Sequence, residues 1–336
     1  MEHEARSVKE EAPGTLETGV GSDAQPSKSR TSEHGAPSEG ATISDRFDTA
    51  EVFKRVLVAA DEEIGTPARE LFFSGLAAGF SITLTFLLYS TLTAATGGDP
   101  ILGAILYPIG FVYIILGGYN LYTEDTLPPV ALVLERLASF PALFRVWGIV
   151  LTANFIGGGF GALLLSTTGV LSPEATTAAT EISMKGLDTP FADLFFKALV
   201  AGFIVAGVVW LNFTARSVTS RFLLTYVAFL CIPLGDLYHV VVSFTELTYL
   251  TIGGHAAFVP GFFGFVLPVI LGNTVGGAIL VTVVNYFQTT ERRLKMARGG
   301  ANRQLSMSEM FFGGIVGRSY VPVNKSHEAV EGNGRG

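Results

Sequence analysis

The segment GGYNLYTEDT, residues 117–126, interrupts an apolar stretch that runs over positions 101–116 and resumes over positions 127–134. Such a stretch is long enough to enter a bilayer, but glycine, asparagine and carboxylate residues break it in the middle. Irregular backbone at membrane depth is tolerated only where protein buries it or where it lines a cavity. The segment therefore predicts a broken helix inside a membrane protein.

The residues after this interruption indicate where the helix restarts. Asp125 or Thr126 is suited to cap a new helix, and Pro128 and Pro129 suit its first turn, where a missing N–H group costs little. We expect the second half of the broken helix to begin near Leu127.

A second interruption, PLGDLYH at residues 233–239, separates the apolar positions 222–232 from the apolar positions 240–252. In folds with two broken helices, the solute pathway lies where the interruptions meet. The sequence thus predicts that the candidate site lies between residues 117–126 and residues 233–239.

The composition supports a membrane class. The chain has 336 residues, of which 49% are apolar and only 15% are charged, with 39 glycines and 26 phenylalanines. A bilayer core about 30 Å thick needs roughly 20 apolar residues for each helix. Besides the two broken spans, four uninterrupted spans meet this requirement, at 71–91, 144–168, 195–213 and 262–287. The fold class is therefore an all-α polytopic membrane protein with six transmembrane spans, of which spans 2 and 5 are broken.

The ends of the chain differ from this middle part. Residues 1–45 have few large apolar side chains, so we expect a disordered N-terminal arm without the apolar core of a secretory signal. The transmembrane transporter domain then occupies residues 46–295, and residues 296–336 form a flexible C-terminal tail. Cys231 is the only cysteine, and it is expected to be a packing residue in an apolar stretch.

Loop charges predict the orientation, because Lys and Arg remain on the cytoplasmic side. Arginines follow spans two, four and six, whereas the connections after spans one and five contain no Lys or Arg. Both termini are therefore expected in the cytoplasm, with the protein in the plasma (inner) membrane.

The two halves of the chain resemble each other. Ala-Gly-Phe occurs at 78–80 and at 201–203, and Asn-x-x-Gly-Gly occurs at 154–158 and at 273–277. Three spans in each copy is an odd number, so the second copy must insert upside down. We therefore expect two inverted three-helix repeats.

The polar residues of the breaks are the candidate site. His239 is the one histidine at membrane depth, where ionisable groups are costly, and Thr123 offers a hydroxyl group in the other break. Lys185 and Lys197, near the outer end of span four, either concentrate anions or are ordinary interfacial lysines. The remaining polar candidates, Asn154 and Asn273, are expected to bind backbone groups that the breaks leave free, or else only to pack.

These residues and their spacing resemble the formate/nitrite transporter family over about residues 50–295, most closely its YfdC-like branch. The resemblance rests on Leu121-Tyr122-Thr123, on His239, and on Gly-Asn-Thr-Val-Gly-Gly at 272–277. It implies an aquaporin-like protomer, a homopentamer with one pore in each protomer, and small monovalent anions such as formate or nitrite as the solute. By position, the pathway then includes His239, Thr123, Leu121, Tyr107, Phe111, Val205, Ile232, Ser243, Lys185 and Lys197.

Some positions depart from the family pattern. Glu124 and Asp125 stand where the family has small neutral residues, and Tyr238 replaces an acidic residue before the histidine. Ser243 replaces an asparagine four positions after the histidine, and Gly202 replaces an asparagine in span four. The resemblance therefore does not fix the solute.

We expect a channel or transporter for weak-acid anions, linked to protons through His239. A neutral-solute channel and a proton-coupled cation carrier using Glu124, Asp125 and Asp236 remain alternatives. An enzyme is least favoured, because no nucleophile–base pairing, metal cluster or phosphate-binding loop stands out. We expect no metal, no cofactor and no nucleic-acid partner, and besides the solute the partners are the lipid bilayer and other copies of the chain.

Overall fold

The computed structural model describes residues 49–288 and 304–314, and within these ranges the regular secondary structure is entirely helical. The predicted disordered arm, residues 1–45, lies outside the described residues. The helices are α1 (Thr49–Gly65), α2 (Ala68–Ala95), α3 (Pro100–Gly117), α4 (Pro128–Leu134), α5 (Phe140–Thr167), α6 (Pro173–Asp188), α7 (Phe191–Thr214), α8 (Val218–Leu234), α9 (Val240–Ile252), α10 (Phe258–Phe287) and α11 (Met307–Phe312).

Five of these helices, α2, α3, α5, α7 and α10, are long and apolar enough to cross a membrane. The pairs α2–α5 and α7–α10 have the most extensive contacts. Two further apolar helices, α8 and α9, are shorter, with 17 and 13 residues. Each is too short to cross a bilayer core alone, because a span needs about 20 residues.

The first break lies between α3 and α4. Gly118 ends α3 with φ +67°, a conformation that glycine adopts without steric cost. Leu127 is the N-cap of α4, and Pro128 and Pro129 occupy its first turn, as the sequence indicates. Neither Asp125 nor Thr126 caps this helix, since no side chain in the described part of the chain accepts a hydrogen bond from its first turn. Thr126 Oγ1 donates instead to the carbonyl oxygen of Thr123 at 2.7 Å.

Asn154 of α5 holds the first break. Its Oδ1 accepts a hydrogen bond from the backbone N–H of Tyr122 at 2.9 Å. Its Nδ2 donates to the carbonyl oxygens of Gly75 in α2 and Asn120 in the break, at 2.8 and 3.0 Å. One fully buried side chain thus satisfies two backbone groups that the break leaves open, and it joins the break to α2 through the carbonyl oxygen of Gly75.

Asn273 of α10 makes the same set of bonds at the second break. Its Oδ1 accepts from the N–H of Val240 at 2.9 Å. Its Nδ2 donates to the carbonyl oxygens of Ala198 in α7 and Tyr238 in the break, at 2.7 and 3.0 Å. The two breaks are therefore fixed by equivalent side chains on equivalent helices.

Glycines allow the helices to approach closely enough for these bonds. A Cβ atom at Gly79 of α2 would collide with the backbone carbonyl oxygen of Asn154. A Cβ atom at Gly202 of α7 would collide in the same way with the carbonyl oxygen of Asn273. The short distance between backbones in each pair requires the absence of a side chain.

Helix α1 lies outside the five long apolar helices and packs on α4, with further contacts to α5 and α7. Its apolar residues recur every three or four positions and form one buried side, which consists of Val52, Phe53, Val56, Leu57, Ala60 and Ile64. Near the end of α1, Glu63 lies beside Asp125 and Glu124 of the first break. Burial raises the pKa of Glu63 well above its usual range, and the neighbouring carboxylates of Asp125 and Glu124 raise it further.

Residues 304–314 belong to the range for which a flexible tail is predicted. Within them, α11 packs on α5, where the rings of Phe311 and Phe140 stack at 5.1 Å. The guanidinium group of Arg136 donates two hydrogen bonds to the carbonyl oxygen of Leu305. This segment therefore contacts the end of α4 and the start of α5.

Replacing Gly202 by alanine is expected to destabilise the protein, because the added Cβ atom must separate two backbones. Overpacking of this kind costs about 1–3 kcal/mol. Gly207→Ala in the same helix is the matched control, since nothing lies within 4 Å of a Cβ atom at that position. Thermal unfolding in detergent measures the effect. An unchanged melting temperature for G202A would contradict the close contact.

Replacing Glu63 by glutamine is expected to tighten the docking of α1 at pH 8 and to change little at pH 4. Because its pKa is raised in the docked state, the protonated carboxyl group of Glu63 favours docking and the ionised group opposes it. The stabilisation by the protonated form is lost as the pH rises through that pKa. At pH 8, amide hydrogen exchange in α1 should be slower in Glu63→Gln than in the wild type by at least about tenfold, because one pKa unit corresponds to about 1.4 kcal/mol. At pH 4 the two exchange rates should be similar. Glu62→Gln, at the exposed neighbouring position, should not change the exchange rate.

Candidate transport pathway

Thr123 and His239 meet inside the protein, one from each break. Thr123 Oγ1 lies 2.8 Å from His239 Nε2, and both side chains are buried, with exposures of 0% and 1%. Either the hydroxyl group or the ring N–H can donate in this bond. Within the described residues, the other ring nitrogen, Nδ1, has no hydrogen-bond partner.

Aromatic rings enclose His239 on one side. The ring of Phe111, from α3, stands edge-on to the imidazole ring at a centroid distance of 4.9 Å. Phe111 in turn stacks on Phe229 of α8 at 3.8 Å and contacts Tyr107 at 5.6 Å. These rings are buried, so they form an apolar wall against the imidazole group.

A cavity of about 350 Å³ reaches His239 from the face of the molecule that carries α6. We call it the α6-face cavity. Residues from α2, α3, α6 and α9 and from the second break line it, among them Tyr89, Tyr107, Asp236, His239, Ser243 and Glu246. His239 thus lines this cavity on one side and is bonded to Thr123 on the other.

The two predicted lysines converge on one carboxylate at this face. Lys185 Nζ lies 2.7 Å from Asp236 Oδ1, and Lys197 Nζ lies 2.6 Å from Asp236 Oδ2. Asp236 adopts φ +52°, in the left-handed region that few residues other than glycine favour. The lysines are therefore paired with the residue that forms the turn of the second break.

The other predicted pathway residues are distributed around this centre. Ser243 lies one turn after His239 in α9 and lines the α6-face cavity, and its hydroxyl has no hydrogen-bond partner within the described residues. Leu121, Val205 and Ile232 are fully buried in the apolar core that surrounds the two breaks. The structure therefore brings Tyr107, Phe111, Thr123 and His239 into contact, while Val205 and Ile232 contribute apolar packing.

Sequence reasoning missed several residues of the cavity. Glu246 is a carboxylate inside the apolar stretch 240–252, and such a position in a membrane helix is itself a sequence signal of function. Tyr89 carries no such signal, because aromatic residues are common throughout the apolar stretches. Among the described residues, no group of three or more His, Cys, Asp or Glu side chains is placed to hold a metal ion.

The chain was compared with protein-family models. The model described as "Formate/nitrite transporter" matches residues 50–287. This match covers the helices from α1 to α10 and includes both breaks.

Individual proteins also match over most of their length. "Inner membrane protein YfdC" of Escherichia coli (strain K12) is 27% identical over 72% of this chain and 81% of that protein. "Formate channel FocA" of Haemophilus influenzae is 24% identical over 65% of this chain and 86% of that protein.

Two solved structures share the fold. One described as "FNT family ion channel" has a TM-score of 0.66 and 22% identity, covering 71% of this chain and 99% of that one. "Pentameric formate channel with formate bound" has a TM-score of 0.56 and 21% identity, covering 66% of this chain and 97% of that one. With the family match, these comparisons show that the chain belongs to the formate/nitrite transporter family, whose members are channels or transporters and not enzymes.

Proposed function

We propose that this protein moves small monovalent weak-acid anions, such as formate or nitrite, across the membrane together with a proton. The observation that carries the proposal is the buried hydrogen bond between Thr123 and His239, which joins the two breaks at the end of the α6-face cavity. Two relatives named as formate channels support the same class of solute.

The apolar surroundings of His239 explain why a proton must accompany the anion. Phe111, Leu121 and Phe229 offer no hydrogen bonds from their side chains, and moving an isolated charge into such surroundings costs many kcal/mol. A weak acid avoids this cost by accepting a proton, because its neutral form needs only hydrogen bonds. His239 takes up a proton from the aqueous side and passes it to the anion, directly or through a bound water molecule, and Thr123 fixes the orientation of the imidazole ring.

The architecture that we propose has six spans in two inverted three-helix repeats, with α3–α4 and α8–α9 as the broken spans of an aquaporin-like protomer. The equivalent hydrogen bonds of Asn154 and Asn273 support this symmetry. We further propose a homopentamer with both termini in the cytoplasm, and a transporter domain at residues 46–295 between a disordered arm and a tail. The pentameric state of a related formate channel supports the assembly.

A proton-coupled cation carrier is the second candidate, because carboxylates also line the α6-face cavity. Asp236 is engaged by two lysines, so it is a poor cation ligand. Glu246 has no such partner within the described residues and is the residue that favours this alternative. A reversal potential that follows the cation gradient and ignores the anion gradient would establish it.

Uptake of formate, nitrite, acetate, lactate and hydrosulfide by proteoliposomes tests the proposed function. His239→Asn and Thr123→Ala should each lower uptake at pH 5 by at least about fivefold, since leaving one buried partner unsatisfied costs about 1–3 kcal/mol. Thr123→Ser keeps the hydroxyl group and is the control that should retain uptake. Unchanged uptake in H239N and T123A would contradict the role of the pair.

Replacing Asp236 by asparagine is expected to lower the KM for formate, because it frees Lys185 and Lys197 to attract the anion. The gain should be about fivefold at low salt, since a unit charge about 4 Å away contributes about 1 kcal/mol in water, and it should shrink as salt is added. Asparagine tolerates the left-handed backbone at this position. Asp188→Asn, which removes the same charge from an exposed site on α6, should leave the KM unchanged. An unchanged KM for D236N would show that the lysines do not attract the solute.

A further inference from the structure

Glu246 is a buried carboxylate that has no role in the mechanism proposed for Thr123 and His239. It lies on α9, two helical turns after His239, and lines the α6-face cavity together with His239 and Ser243. Its side chain is 6% exposed. Within the described part of the chain, no hydrogen bond or ion pair engages it, although an intramembrane carboxylate normally has a partner.

The fixed charges around Glu246 determine what the cavity can accept. Lys185 and Lys197 contribute two positive charges and Asp236 contributes one negative charge, so this group has a net charge of +1. An ionised Glu246 reduces that sum to zero. Glu181, exposed on α6 at the same cavity, adds one more negative charge. With Glu246 ionised, the cavity is neutral or negative and offers an anion no net attraction.

The helices packed against α9 bring no other cation to Glu246. Tyr89 of α2 and Tyr107 of α3 face the cavity with phenol groups, and Tyr238 and His239 face it from the break. Helix α10 contains no titratable residue up to residue 285. The only charged residue of α5 is Arg145, which donates to the carbonyl oxygens of Ile64 and Thr66 beside α1. The Glu246 charge is therefore removed by protonation and not by pairing.

We propose that Glu246 is the proton-binding group of the α6-face cavity, and that an anion occupies this cavity together with a proton on Glu246. This inference rests on the proposed function and adds a second protonation site to it. Protonation removes one negative charge from the cavity, so that the negative charges of Asp236 and Glu181 no longer outnumber the two lysines, and it turns the carboxylate from a repelling group into a hydrogen-bond donor for the anion. His239 then acts deeper in the pathway, beyond the site where the anion first binds.

The test is the KM for formate in proteoliposomes between pH 5.5 and pH 8.5, a range in which formate itself is almost fully ionised. In the wild-type protein the KM should rise by about threefold or more, because the protonated fraction of a carboxyl group falls as the pH passes its pKa, by about tenfold for each unit above it. In Glu246→Gln, which has nearly the same shape and no charge, the KM should change by less than about twofold, as expected without a titrating group.

Controls separate charge from structure. Glu174→Gln removes the same charge from an exposed position of α6 outside the cavity and should keep the wild-type pH dependence. Glu246→Asp keeps a carboxyl group and should also keep a pH-dependent KM. Size-exclusion chromatography in detergent establishes that each variant assembles like the wild type.

Three results would overturn the inference. The first is a Glu246→Gln variant whose KM rises with pH as steeply as that of the wild type. The second is a wild-type KM that does not change with pH, and the third is loss of uptake in both the Gln and the Asp variants despite normal assembly. Absence of uptake by the wild-type protein for every weak acid would instead overturn the proposed function, and the inference with it.

Discussion

The structure depends on satisfying backbone groups that two broken helices leave open inside an apolar protein. Each unpaired N–H or C=O group would cost several kcal/mol in a membrane. Asn154 and Asn273 each satisfy two of them, and each reaches its partners because a glycine, Gly79 or Gly202, lets two backbones touch. Since these bonds fix the breaks, they also fix the residues that the breaks carry.

The same frame presents different side chains in the two breaks. Asn154 accepts from the residue after Leu121, and Asn273 accepts from the residue after His239. Leu121 and His239 therefore occupy equivalent places, one apolar and one able to bind a proton. Thr123, two residues after Leu121, reaches across to the imidazole group. The same asparagine-fixed break, present twice, thus places the apolar side chain of Leu121 and the polar Thr123–His239 pair in neighbouring positions.

The sequence predicted the features that depend on long apolar stretches and on the two breaks, including the bonds of Asn154 and Asn273 to backbone groups, and missed the two amphipathic helices and the ion pairs at Asp236. Each long apolar stretch appears as a helix, extended by several residues where polar ends continue the turn, as at Ala68–Ala95. The amphipathic helices Thr49–Gly65 and Pro173–Asp188 were missed, although a three- to four-residue period marks the first and Ser172-Pro173 marks the start of the second. No sequence rule could pair Asp236 with two lysines that lie 39 and 51 positions away in the chain.

The turn at Asp236 gives the two breaks unequal mechanical properties. Gly118 forms the corresponding turn of the first break at φ +67° with no side chain, so this turn residue has no side-chain tether of its own. Asp236 forms its turn at φ +52°, a conformation that costs about 1–2 kcal/mol for most L-residues, and its carboxylate is tethered to α6 and α7 through two lysines. These tethers are solvent-exposed, so dissolved ions weaken them. A higher ionic strength on the α6 face therefore makes the second break more flexible. It does not act on the first break in this way, because Gly118 has no charged side chain.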